Sequence, residues 1–144
     1  MGVGWGIVMI VFSVLAWGGQ TLAWLAPTRA TRWGLTEAEG QVEPVYHADI
    51  RGEARFDAMT LWAMVVAGVL LVAGNGAWAY FGLASGGMYA YFAGRSISTR
   101  LEMQRRGFRI GNPQNVRLGY LFLTLWGLVA IVTLVAAAVD LRST

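Results

Sequence analysis

Residues 58–94 read AMTLWAMVVAGVLLVAGNGAWAYFGLASGGMYAYFAG, thirty-seven residues without a charge, broken near the middle by Gly74-Asn75-Gly76. The arms on either side of that break, Ala58 to Ala73 and Ala77 to Gly94, are sixteen and eighteen residues long. As helices they measure roughly 24 and 27 Å at about 1.5 Å per residue. A bilayer core about 30 Å thick needs about 20 residues, so the first arm is expected to begin earlier, in the polar stretch around Glu53. Placing the turn at Ser85-Gly86-Gly87 would leave only Met88 to Gly94 before Arg95, too few to cross. Gly and Asn tolerate positive φ, which makes Gly74-Asn75-Gly76 the turn of a tight membrane hairpin.

Working outward, residues 2–26 form an uncharged span ending at Pro27, with Trp5 and Trp24 near its ends as interfacial aromatics. A secretory signal would place positive charge ahead of the apolar run, whereas Arg29 and Arg32 follow it. The reading is a retained helix. Leu118 to Val139 is a further span, closed by Asp140. The expected fold is therefore all-α: a single membrane domain over residues 1–144 with four transmembrane helices, at about 3–26, 57–73, 77–94 and 118–139.

The two hydrophilic segments, about 28–56 and 95–117, hold ten of the eleven arginines, and the chain has no lysine. The positive-inside rule makes that side cytoplasmic and both termini external, an N-out/C-out arrangement. The expected location is integral to a membrane, taken as the bacterial cytoplasmic membrane. In the first segment Thr36 and Glu39 have capping-box spacing, and Pro44 is placed to open a second helix. If that helix runs into the hairpin, Asp49, Glu53 and Asp57 line one face at i, i+4, i+8, and something positive must face them. The arginines of residues 95–117 are the natural source. Gly107 is expected to stop the preceding helix, and Gly111-Asn112-Pro113 to form a turn.

The second hairpin arm carries a small-residue stripe, Gly82, Gly86, Ala90 and Gly94, repeating every four residues. In lipid such stripes allow close backbone packing, here against the protein's own helices or against a partner or second copy.

Composition excludes several activities. The chain has no cysteine and one histidine, His47, predicted outside the bilayer, so no disulfide, iron–sulfur cluster, zinc site or bis-histidine haem is expected, and no cofactor. The uncharged spans argue against a proton-coupled transporter. The glycine clusters lack the strand and lysine of a phosphate loop, and the arginines adjoin apolar spans, which argues against nucleic-acid binding.

Three functions stay open. The first is a non-catalytic membrane subunit or scaffold, self-associating or joined to other membrane subunits, with Arg95, Arg100, Arg105 and Arg106 contacting anionic lipid or a partner. The second is an enzyme acting on a phosphorylated lipid, in which Asp49, Glu53 and Asp57 hold a divalent metal. That acidic series resembles the carboxylate motifs of membrane prenyl- and phosphatidyl-transferases, which have more spans and further motif residues missing from this sequence. Pairing with Arg100, Arg105 or Arg109 accounts for the acids without a metal. The third is a small homo-oligomeric pore.

Overall fold

The computed structural model describes residues 2–143, which are helical with short connections and, among the described residues, contain no strand. The elements are α1 (Val3–Leu25), α2 (Pro27–Arg32), a 3₁₀ turn (Glu39–Gln41), α3 (Pro44–Thr60), α4 (Trp62–Val72), α5 (Trp78–Arg105) and α6 (Pro113–Ser143). Three helical stretches are long and apolar enough to cross a membrane: Val3–Leu25, Pro44–Val72 (α3 running into α4) and Pro113–Ser143. α5 is not among them. Its apolar half holds four glycines and three tyrosines, and its second half carries Arg95, Arg100 and Arg105.

The boundaries follow local chemistry. α1 stops before Pro27, whose ring disfavours a helical residue ahead of it, and Pro27 opens α2 at a position where a missing N–H costs nothing. α3 opens on Pro44 in the same way. The helix anticipated from the Thr36–Glu39 spacing does not form; Ala38 precedes a single 3₁₀ turn. Glu43 must be extended ahead of Pro44, and its N–H is taken by the Arg109 carbonyl at 2.8 Å, so the segment cannot close a longer helix. Asn112 caps α6, its side-chain oxygen accepting from the Asn115 N–H at 2.9 Å.

The hairpin turn forms where expected. Gly74 takes φ +66, its N–H bonds the Leu71 carbonyl and the Asn75 N–H bonds the Leu70 carbonyl, a Schellman closure that satisfies the orphan carbonyls of α4. Asn75 then accepts from the Ala77 N–H through its side chain at 2.9 Å. Gly107, at φ +78, ends α5 by the same pattern, with Phe108 N–H on the Met103 carbonyl.

α3 and α4 form one rod with a break at Leu61. There the Ala58 carbonyl accepts from the Trp17 indole at 2.7 Å and the Leu61 carbonyl from the Tyr89 hydroxyl at 3.1 Å. Side chains inserted into a helical ladder loosen it: α1 satisfies the Ala58 carbonyl, and the Leu61 carbonyl is shared between Tyr89 and the Met64 N–H at 3.4 Å.

The rods α1, α3–α4, α5 and α6 pack in chain order and alternate in direction. Gly6 near the start of α1 meets Val72 near the end of α4, and Trp78 at the start of α5 meets Asp140 near the end of α6. A shared core runs through all four, including Met9, Ala16, Met64, Tyr89, Ala130 and Ala137. The two hydrophilic segments meet at one end, where Val42 and Tyr46 bury against Ile110. Outward-facing positions are apolar on every rod, among them Ile7, Val69, Tyr91 and Val135. These exposed apolar side chains and the three long apolar stretches are compatible with an integral membrane protein.

Candidate functional site

The polar chemistry is concentrated at the arginine-rich end. α3 presents Asp49 and Glu53 one turn apart, and α5 reaches across with Arg95. Its guanidinium forks, one nitrogen on Asp49 Oδ1 and the other on Glu53 Oε1 at 3.0 Å, while Ser96 also donates to Glu53 Oε1. The Glu53 side chain is only 10% exposed, so this bracket is set into the structure rather than laid on its surface. Burial by itself would lower the Arg95 pKa, but the Asp49 hydrogen bond and the charges of Asp49 and Glu53 outweigh it and raise the pKa above its ordinary value.

The positive group that the acidic face requires is thus Arg95, not Arg100, Arg105 or Arg109. Arg109 approaches Glu43 instead, at 3.6 Å. Arg106 pairs with Glu102 on its own helix at 2.7 Å, exposed, and Arg105 is exposed at the end of α5. Arg100 donates from Nε to the Tyr46 hydroxyl at 2.9 Å and, among the described residues, has no carboxylate within ion-pair distance.

Asp57 does not join the bracket. It sits a turn deeper in α3, 5% exposed, with Oδ2 lacking a hydrogen-bond partner. This carboxylate lies inside the Pro44–Val72 stretch, so the expectation of uncharged spans holds for Ala58 onward but not for the whole apolar rod. Among the described residues no three His, Asp or Glu side chains are grouped as ligands of one metal ion, and Asp49, Glu53 and Asp57 do not converge. His47 is half-exposed on α3.

The small-residue stripe faces α6. A Cβ on Gly82 would lie 3.1 Å from Ala137 Cβ, and one on Gly86 would lie 2.8 Å from Leu134 Cγ and 3.2 Å from the Ala130 carbonyl. Ala90 packs on the same core, whereas Gly94 is exposed with open space around it. The stripe as far as Ala90 is therefore occupied within the chain.

Three features escaped sequence reasoning. Gly6 and Gly68 cross face to face, each backbone so close to the other helix that a Cβ on Gly68 would lie 2.9 Å from the Gly6 carbonyl oxygen. The signal was present as glycines in two apolar runs, but nothing local pairs one with the other. Arg51 donates to the Ala23 and Trp24 carbonyls, placing a positive charge on the C-terminal end of α1. Last, a cavity of about 390 Å³ lies between α1, α3, α5 and α6, apolar on the side of Phe92, Phe122 and Trp126 and polar on the side of Tyr46 and Arg100.

Compared with known proteins, the chain matches no family model, no curated protein and no solved structure.

Proposed function

We propose that this protein is a non-catalytic membrane subunit or scaffold crossing the bilayer four times, with both termini external and the arginine-rich end cytoplasmic. The observation that carries the reading is the Asp49–Arg95–Glu53 bracket: the carboxylates best placed to hold a catalytic metal are bound to the protein's own guanidinium and to Ser96. Contacts with anionic lipid or an acidic partner fall to Arg100, Arg105 and Arg106, each worth about 1 kcal/mol near an anionic leaflet. With Gly82 and Gly86 buried against α6, a protein partner or second copy meets the apolar outer faces of α1, α4 and α6 rather than the stripe.

The fourth crossing is assigned to α5. The chain leaves α4 at Gly74, far from the bracket, and returns to it at Arg95, which supports a crossing by the 78–94 half of α5. Gly82 and Gly86 meet α6, Trp78, Tyr89 and Phe92 are buried against neighbouring helices and Tyr80 and Tyr91 face outward, so moderate hydropathy suffices.

Two measurements test this. Cysteine placed at position 75 should label only from outside and at position 105 only from the cytoplasm; the reverse pattern, or both from one side, defeats the topology. Mass analysis of the protein extracted from its membrane in mild detergent should find stoichiometric protein partners; a homo-oligomer free of other proteins would count against the subunit reading. Turnover of a phosphorylated lipid by the purified chain, lost in Asp49→Asn, would replace the scaffold reading with the enzyme.

A further inference from the structure

The 390 Å³ cavity is in the size range of small-molecule sites, roughly 300–1,000 Å³, and its walls are divided in kind. The lining includes the apolar side chains of Leu15, Phe92, Phe122 and Trp126 and the charged ones of Arg100 and Glu37. It opens sideways. α1 and α6 are not packed along their length and touch where the Trp126 indole approaches the Phe12 carbonyl at 3.4 Å, so the space beside that contact faces the lipid-exposed exterior. Leu15 is 65% exposed and Phe122 49%, which places the mouth of the cavity on the outer surface.

Arg100 is the second observation. Among the described residues it has no carboxylate partner, although four other arginines of α3, α5 and the following loop find a carboxylate or helix carbonyls. Tyr46, 4% exposed, holds it by Nε at 2.9 Å, which leaves the two terminal nitrogens as free donors at the cavity's polar end. A half-buried guanidinium held in place by a neutral hydroxyl, with unused donors, is arranged for an oxyanion that arrives from elsewhere. Glu37 also lines the cavity and carries the opposite charge, with one carboxylate oxygen enclosed and lacking a hydrogen-bond partner. A cation in the cavity would offset that charge.

We propose that this cavity binds one glycerophospholipid with a zwitterionic head: its phosphate on Arg100, its ammonium toward Glu37, and one acyl chain laid between α1 and α6 over Phe122 and Trp126. The volume accommodates the head and the upper part of a single chain, and the second chain stays in the bilayer. Pockets between membrane helices at the cytoplasmic end are known to seat lipid head groups; here Arg100 and Glu37 in one lining suit a head that carries both charges. The proposal deepens the lipid contact of the scaffold reading and depends on it only for the leaflet that supplies the lipid. Lipid retained by a chain free of protein partners would defeat the scaffold and leave this site standing.

The test is native mass spectrometry of the full chain, delipidated in detergent and then titrated with phosphatidylethanolamine, phosphatidylglycerol and palmitic acid. Wild type should retain one phosphatidylethanolamine per chain, at least tenfold more tightly than the fatty acid. Arg100→Gln should lower retention at least tenfold, and Arg142→Gln, exposed in the last turn of α6 and outside the cavity, should leave it unchanged. Gly119→Leu fills the cavity without altering a charge, since a Cβ there has only Arg100 Cζ at 4.0 Å. It should abolish retention, and it serves in place of Arg100→Gln if that variant fails to fold. Glu37→Gln should equalise the ethanolamine and glycerol lipids. No retained lipid in wild type, equal retention after either cavity variant, or palmitic acid held as tightly as the phospholipid would overturn the site. So would a dimer that seals the mouth and excludes lipid.

Discussion

Gly68→Ala is the sharpest perturbation the structure offers. A Cβ at position 68 would stand 2.9 Å from the Gly6 carbonyl oxygen, 3.2 Å from the Ile10 amide nitrogen and 2.8 Å from Ile10 Cγ1. The first two are backbone atoms and cannot rotate away, so α1 and α4 must separate by a few tenths of an ångström along their contact. Overpacking of this kind costs typically about 1–3 kcal/mol. The same substitution also gains helix propensity, about 0.8–1.0 kcal/mol for Gly to Ala in a helix interior. That gain needs a control, and Gly87 in α5 provides one, because a Cβ there meets nothing within 4 Å. Gly87→Ala keeps the propensity gain and carries no steric penalty. The stability of Gly87→Ala minus that of Gly68→Ala therefore isolates the helix crossing, and the expected difference is about 1–3 kcal/mol. Thermal unfolding followed by far-ultraviolet circular dichroism in one detergent reads it directly. Equal stability of the two variants would mean that the crossing yields without cost, and the close approach would lose its standing as the contact that fixes α1 on α4. In lipid, where tails are as apolar as leucine, such packing is what holds helices together, so the consequence reaches the whole bundle.

Two further outcomes follow from polar contacts. Arg95→Met strips the bracket of its only cation and should cost about 1–3 kcal/mol, between the value of an exposed pair and that of a fully buried one. Adding Asp49→Asn and Glu53→Gln should recover much of that loss, because the cost lies in stranding charge; strict additivity in the same unfolding assay would refute the bracket. Trp78→Phe removes the indole donor to Asp140 Oδ2, a 2.9 Å bond made by a ring 4% exposed, with an expected loss of about 1.5–3 kcal/mol. Asp140→Asn keeps an acceptor and should lose less, and a Trp78→Phe variant as stable as wild type would show that the bond contributes nothing.

Much of the architecture was legible in the chain because its causes are local. The hydrophobic run and the glycine turn at Gly74 announced the α4–α5 hairpin. Pro44 announced the start of α3, and Gly107 and Asn112 announced the exchange between α5 and α6. The acidic face was legible too: Asp49 and Glu53 at i, i+4 demand a cation, and residues 95–117 hold most of the chain's arginines. Which arginine answered was not legible, since Arg95, Arg100, Arg105 and Arg109 share the segment and only the seating of α5 on α3 brings Arg95 within 3.0 Å of Glu53. For the same reason the buried place of Asp57 was missed. Its sequence neighbours look like the edge of a polar segment, and burial comes from the other helices.

The sequence by itself determined that the chain is helical, apolar and divided by charge into two ends, because hydrophobic length, turn residues and arginine placement act over a few residues at a time. Tertiary structure alone decided the rest. The Gly6–Gly68 crossing joins residues sixty-two positions apart. Arg51 reaches the end of α1, twenty-eight positions back to Ala23. The cavity exists only where α1 and α6 fail to close against each other. Each is a meeting of surfaces whose register is set by the packing of whole helices, and no short stretch of sequence carries that information.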